Sequence, residues 1–138
     1  MLTPAITLRP LGDGRLRGVR WQQRVLPRAA AADALDVFFA PAYTCPLTLP
    51  VPRVTMVHDL SFFSLPHEFG VLDGAKRRAL VRASVRASAR VLAQSDFTRR
   101  EIAAYFPEAA ERVRVVPLGP DDDLPPGPAP APRAASRP

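Results

Sequence analysis

The chain has 138 residues, a formal net charge of +6 and 47% apolar residues. That length makes one domain at most, able to bury roughly two-thirds of its unfolded surface. Cys45 is alone, the N-terminus MLTPAITLRP has no continuous apolar segment, and no apolar run is long enough to cross a bilayer. Those features argue against an internal disulfide, a secretory signal and a membrane span.

The basic excess is almost entirely Arg, with Lys76 the one Lys, in a chain also rich in Ala and Pro. This pattern looks partly compositional, which weakens the case for a nucleic-acid surface. It still favours contact with anions such as phosphates, nucleotides or an acidic membrane face.

In chain order, Ile6–Leu8 reads as a short strand. The Gly12-Asp13-Gly14 turn would join it to a second strand at Leu16–Val19. Arg20–Leu26 turns helical, with Trp21 and Val25 on one face. Pro27 is expected to break or restart that helix, and the Ala-rich Arg28–Ala34 to continue it. Asp36 begins a strand, DVFFAP, ended by Pro41. The Pro-rich passage from Ala42 to Pro52 reads as irregular.

Val54–Val57 follows as a β-branched, apolar run suited to a buried parallel strand. It ends in His58 and Asp59. Ligands bind outside the carboxyl ends of strands in open α/β sheets, so this pair stands where binding chemistry belongs. Position alone leaves a second reading equally open: a loop His bonded to backbone, with Asp59 capping a turn.

A long helix is expected from Val71 to Ala89. Leu72, Ala79, Leu80, Ala83 and Ala87 would pack on the sheet, and Arg78, Arg82, Arg86 and Arg90 would line the other side. RVLAQ, Arg90–Gln94, reads as another buried strand. Ser95 is placed to cap the next helix, Asp96–Phe106, and Pro107 to stop it. The last strand is Val113–Pro117. The Pro/Ala/Arg-rich stretch after it has almost nothing apolar to bury and reads as disordered. The sum is an α/β fold with a Rossmann-like parallel sheet and flanking helices.

His67 and Glu68 do not complete a metal signature with His58 and Asp59, and no cofactor is implied. Ser95 fits no nucleophile motif, although a helix N-terminus can attract an anion. The arginine row is usually a solvated face; the alternative is an anionic leaflet, at about 1 kcal/mol per Arg near the surface.

VTMVHDLSFFSLPHEF, the Arg-rich helix, RVLAQSDFTRREIAAYFP and ERVRVVPLG, in that order, resemble the N-terminal domain of the family-four retaining glycosyltransferases, which have the two-Rossmann-domain GT-B fold. WQQRVLP and DVFFAP resemble that family's mannosyltransferase-like branch. The resemblance divides the chain into a poorly defined segment 1–20, a partial acceptor-side domain 21–119 and a tail 120–138.

It implies that His58, Asp59 and Ser95 are substrate-binding residues in the interdomain cleft, with no catalytic residue certain. The ancestral chemistry would be transfer of a hexose from a nucleotide-sugar donor to an acceptor hydroxyl, with retention. The partners implied are the nucleotide-sugar, a glycan or lipid-linked acceptor, and a separate donor domain. Cytoplasmic placement is implied too, with peripheral membrane contact through Arg78, Arg82, Arg86 and Arg90 as a minority reading. The family's first strand with its Gly-rich loop, and its whole donor domain, have no counterpart in the sequence. The chain is therefore expected to be truncated and inactive alone, and the rival reading is a non-catalytic partner module.

Overall fold

The computed structural model describes residues 10–11, 16–117 and 119. The expected Ile6–Leu8 strand, the Gly12-Asp13-Gly14 turn and the tail lie outside the described residues. Within them the protein is an α/β domain built on a four-stranded parallel sheet in the order β1-β2-β3-β4.

The strands are β1 (Phe38–Ala40), β2 (Arg53–Val57), β3 (Arg90–Ala93) and β4 (Val113–Val115). The helices are α1 (Gly18–Ala32), α2 (Ser61–Ser64), α3 (Val71–Ala87) and α4 (Asp96–Tyr105), with 3-10 turns at Pro66–Glu68 and Pro107–Arg112.

Two expectations near the N-terminus are corrected. Leu16–Val19 is not a strand, because α1 already begins at Gly18. Pro27 neither breaks nor restarts the helix but sits inside it. Proline removes one ladder donor, and helix interiors normally resist this. Here the preceding turn is anchored from outside. Gln22 donates to the Thr44 carbonyl at 2.9 Å, and Gln23 donates to the Cys45 carbonyl at 3.0 Å. The helix ends in a Schellman-type cap. Leu35 N–H donates to Ala30 O and Ala34 N–H to Ala31 O, with Ala34 left-handed at φ 49°.

The passage from β1 to β2 is irregular, as its prolines dictate. Its carbonyls need donors, and Arg53 supplies them. The guanidinium reaches the carbonyls of Pro46, Leu47 and Leu49 at 3.3, 2.7 and 3.3 Å.

The core lies on one side of the sheet. Val57, Val91, Ala93 and Val113 from the strands meet Leu60, Phe62, Val81, Val85, Ile102, Phe106 and Ala109. Phe63 and Phe69 pack against this cluster, so these aromatics serve packing. The face of α3 that does the packing is not the expected one. Leu72 is 74% exposed, and the buried residues are Gly74, Val81, Ser84 and Val85. The two valines fill volume that alanines would leave empty, and the polar members are satisfied. Ser84 Oγ accepts from Cys45 N–H at 3.1 Å. Ser88 Oγ, just past the helix, donates to Ser84 O and shares a 2.7 Å bond with Thr55 Oγ1. With its hydroxyls paired, a serine packs as a small residue.

The arginine row is also broken up. Arg78 donates to the Phe62 carbonyl at 3.2 Å. Arg82 lies 5.6 Å over the Phe63 ring and 5.8 Å over Phe106. Arg86 pairs with Glu108 at 2.8 Å. Arg90 has left the helix and opens β3. Three of the four cations thus fasten α3 to its neighbours instead of forming a free charged stripe.

Candidate functional site

The carboxyl ends of β1, β2 and β3 form one edge, and the strand-end residues meet there. His58 follows β2 directly and spans sideways. Its Nε2 is 2.8 Å from the Pro41 carbonyl beyond β1, and its Nδ1 is 3.2 Å from Gln94 Oε1 beyond β3. Two protonation states satisfy this geometry. An imidazolium donates to both oxygens. A neutral ring donates from Nε2 and accepts at Nδ1, once the Gln94 amide turns to present its NH2. In either state the ring ties three strand ends together.

Asp59 is held by the segment that follows it. Oδ1 accepts from Ser61 N–H at 2.9 Å and from Ser61 Oγ at 2.6 Å, a turn that opens α2. Oδ2 accepts from the Tyr43 hydroxyl at 2.5 Å. Burial works to raise the Asp59 pKa. The Ser61 and Tyr43 hydroxyls, the Ser61 N–H and the nearby His58 together outweigh it, so the carboxyl sits below its ordinary value. The opposite holds for Tyr43. Burial first, then the bond to Asp59 and the charge of Asp59, push its hydroxyl up to about 12, against a smaller pull from Arg77. At neutral pH the pair is therefore a carboxylate with a phenol donating to it. A carboxylate so well supplied with donors is a fixed acceptor, poorly suited to take a proton.

Tyr43 is the least expected member. Its φ is 55°, a left-handed conformation that bulky residues rarely adopt. Its surroundings hold it there. The ring meets His58 edge-on at 5.4 Å and Phe62 at 5.7 Å. Two hollows flank the Tyr43–Asp59 pair. One, of about 550 Å³, lies between Tyr43, the start of α1 and α3, with Asp73, Lys76 and Arg77 among its lining residues. The other, of about 350 Å³, is lined by Asp59, Ser61, Ser64 and Phe97.

Ser95 does what its position predicted. It caps α4, accepting from Thr98 N–H at 3.1 Å. Thr98 Oγ1 bonds to Ser95 Oγ at 3.0 Å and donates to the His58 carbonyl at 3.0 Å. The three sequence-selected residues are thus in one neighbourhood. The contacts of the His-Asp pair are those of a backbone-bonded His and a turn-capping Asp, and the pair stands at the carboxyl edge of the sheet. Tyr43, Ser61, Gln94 and Thr98 were missed. Gln94 was findable, since it ends its strand-like run as His58 ends β2. Nothing local marks Tyr43, which arrives through the fold.

A parallel α/β sheet with polar residues gathered at its carboxyl edge fits many ligand-binding proteins. Comparison with known families decides among them. Residues 3–124 match the domain family described as Glycosyltransferase Family 4.

The chain belongs to this family.

No curated protein matches the chain. The family match spans the stretch from Trp21 to Gly119 and extends beyond it at both ends. A family 4 domain implies sugar donor and acceptor substrates in general. The described residues contain no group of three His, Cys, Asp or Glu side chains able to hold a metal. They also contain no helix long and apolar enough to cross a membrane.

Proposed function

We propose that this chain is the acceptor side of a retaining glycosyltransferase. It would work in the cytoplasm with a donor domain that grips a nucleotide-linked hexose, and it would not transfer sugar alone. The observation that carries this reading is the polar cluster of Tyr43, His58, Asp59 and Gln94 at the carboxyl edge of the sheet, in a chain of family 4. Asp59 offers an acceptor for a sugar hydroxyl. The His58 ring braces the edge, and the α4 N-terminus behind Ser95 presents backbone N–H groups. Retention, the hexose and the mannosyltransferase-like branch rest on the sequence resemblance.

The test is a transfer assay with labelled nucleotide-hexoses. The chain is used alone and mixed with a separately expressed family 4 donor domain, and the product anomer is read by NMR. We expect no transfer by the chain alone. The mixture should give a product with the donor's anomeric configuration, and Asp59→Asn should weaken acceptor use more than donor use. Transfer by the chain alone would overturn the division of labour. A folded mixture that neither transfers sugar nor binds an acceptor would favour a non-catalytic partner module.

A further inference from the structure

Of the two hollows beside the Tyr43–Asp59 pair, the smaller has the chemistry of a sugar subsite. Asp59, Ser61, Ser64, Leu65, Phe97 and Glu101 line it, and its volume is about 350 Å³. That is at the low end of the roughly 300–1,000 Å³ usual for small-molecule sites. Phe97 and Glu101 are four positions apart in α4 and share one face of it. Phe97 is 62% exposed and stands outside the core cluster that Phe62, Phe63 and Phe69 serve. Among the described residues its ring has no aromatic or cationic partner.

The polar groups of the wall are acceptors in need of donors. Glu101 is partly buried, yet among the described residues its carboxylate has one hydrogen bond, from Ser64 Oγ at 3.2 Å. That hydroxyl has a single proton and also reaches the Leu60 carbonyl at 3.0 Å, so most of the acceptor capacity of Glu101 is unused. Across the hollow, Asp59 accepts from the Tyr43 hydroxyl and from the Ser61 N–H and hydroxyl, which leaves it about one lone-pair site. Ser61 Oγ has spent its proton on Asp59. A ligand that fits must therefore bring hydroxyl donors at its edge and an apolar face for the ring. A pyranose has both, and the negative face of an aromatic ring attracts its axial C–H groups. An anion is repelled by the two carboxylates. The larger hollow differs on both counts: Lys76 and Arg77 line it, and the Tyr43 ring there already packs on His58 and Phe62.

We infer that the smaller hollow holds an uncharged acceptor hexose, stacked on Phe97 with its hydroxyls donating to Glu101 and Asp59. This rests on the acceptor-side reading above and adds to it the subsite, the class of acceptor and the residues that set its specificity. Phe97 selects a ring with one unobstructed C–H face. Glu101 selects a hydroxyl at the edge that meets α4.

The probes are the methyl β-D-glycosides of glucose, galactose and mannose, all with axial hydrogens on C1, C3 and C5 sharing one face. Binding to the full chain is followed by saturation-transfer NMR and titration. We expect at least one glycoside to bind, with saturation concentrated on that face and weak at C2. Phe97→Ala should weaken it about fivefold, the equivalent of ~1 kcal/mol for a ring contact, and Phe97→Trp should retain it. Glu101→Ala should weaken it about tenfold. Inorganic phosphate should not displace it. Circular dichroism checks each fold, and the Phe97 changes touch an exposed side chain. In the transfer assay with a donor domain, Phe97→Ala should raise the acceptor KM and leave the donor KM unchanged. No saturation of any glycoside, saturation without preference for a face, displacement by phosphate, or unchanged affinity in the folded Phe97→Ala chain would each overturn the subsite. An unchanged acceptor KM in an active Phe97→Ala mixture overturns it too, while the acceptor-side reading stands. An inactive wild-type mixture counts against that reading instead, and glycoside binding then decides the subsite alone.

Discussion

Removing the Tyr43 hydroxyl probes the centre of the site with a single atom. Tyr43→Phe keeps the ring and its edge contacts with His58 and Phe62. It deletes the 2.5 Å donation to Asp59. A hydrogen bond to a charged group is worth about 1.5–3 kcal/mol net. Asp59 keeps both bonds from Ser61, and water can reach the partly exposed pair, so the expected cost is about 1 kcal/mol at neutral pH.

The pH dependence is more diagnostic than the size. The Tyr43 hydroxyl is raised from 10.0 to about 12. Its contribution is therefore complete below pH 10 and disappears as pH rises towards 12. Asp59 is lowered from 3.8, so its contribution is complete above that value and disappears as pH falls through the lower folded value. The stability difference between wild type and Tyr43→Phe should be level from about pH 5 to 9 and shrink on both sides. Urea unfolding, followed by far-UV circular dichroism and the fluorescence of Trp21, measures it across that range. A difference that does not vary with pH, or no difference at pH 7, would refute the coupling of Tyr43 to Asp59.

Three further outcomes follow from the same geometry. Ser95→Ala should cost about 1 kcal/mol by orphaning the Thr98 N–H, and Ser95→Asp should restore most of it, both read from chemical unfolding. Ala34→Gly should raise stability by about 0.5–1 kcal/mol, because glycine takes the left-handed cap of α1 without strain; a loss would deny that cap. Ile102→Ala, at a fully buried position against the sheet, should cost about 2–5 kcal/mol, seen as a large drop in denaturation midpoint.

The sequence by itself determined the four strands of the sheet and the strand edge at which His58, Asp59 and Ser95 gather. Val54–Val57 and Arg90–Gln94 are short β-branched or apolar runs that could hardly be anything else, and the prolines around them fix where regular structure stops. Ser95 caps its helix because a hydroxyl beside a strand end serves the first free N–H groups wherever the fold puts them. These are local effects, and local sequence carries them.

Tertiary structure decided what local preference left nearly level. In α3, alanine and arginine recur so evenly that pattern chose the wrong face. The sheet instead selected Val81 and Val85, and paired the hydroxyls of Ser84 and Ser88. Pro27 stays within α1 because glutamine side chains anchor the helix to a distant loop. Tyr43 reaches Asp59 across sixteen positions in a strained conformation. Its membership of the site depends on contacts between the β1–β2 connection and the end of β2 and the residues after it, far apart in sequence.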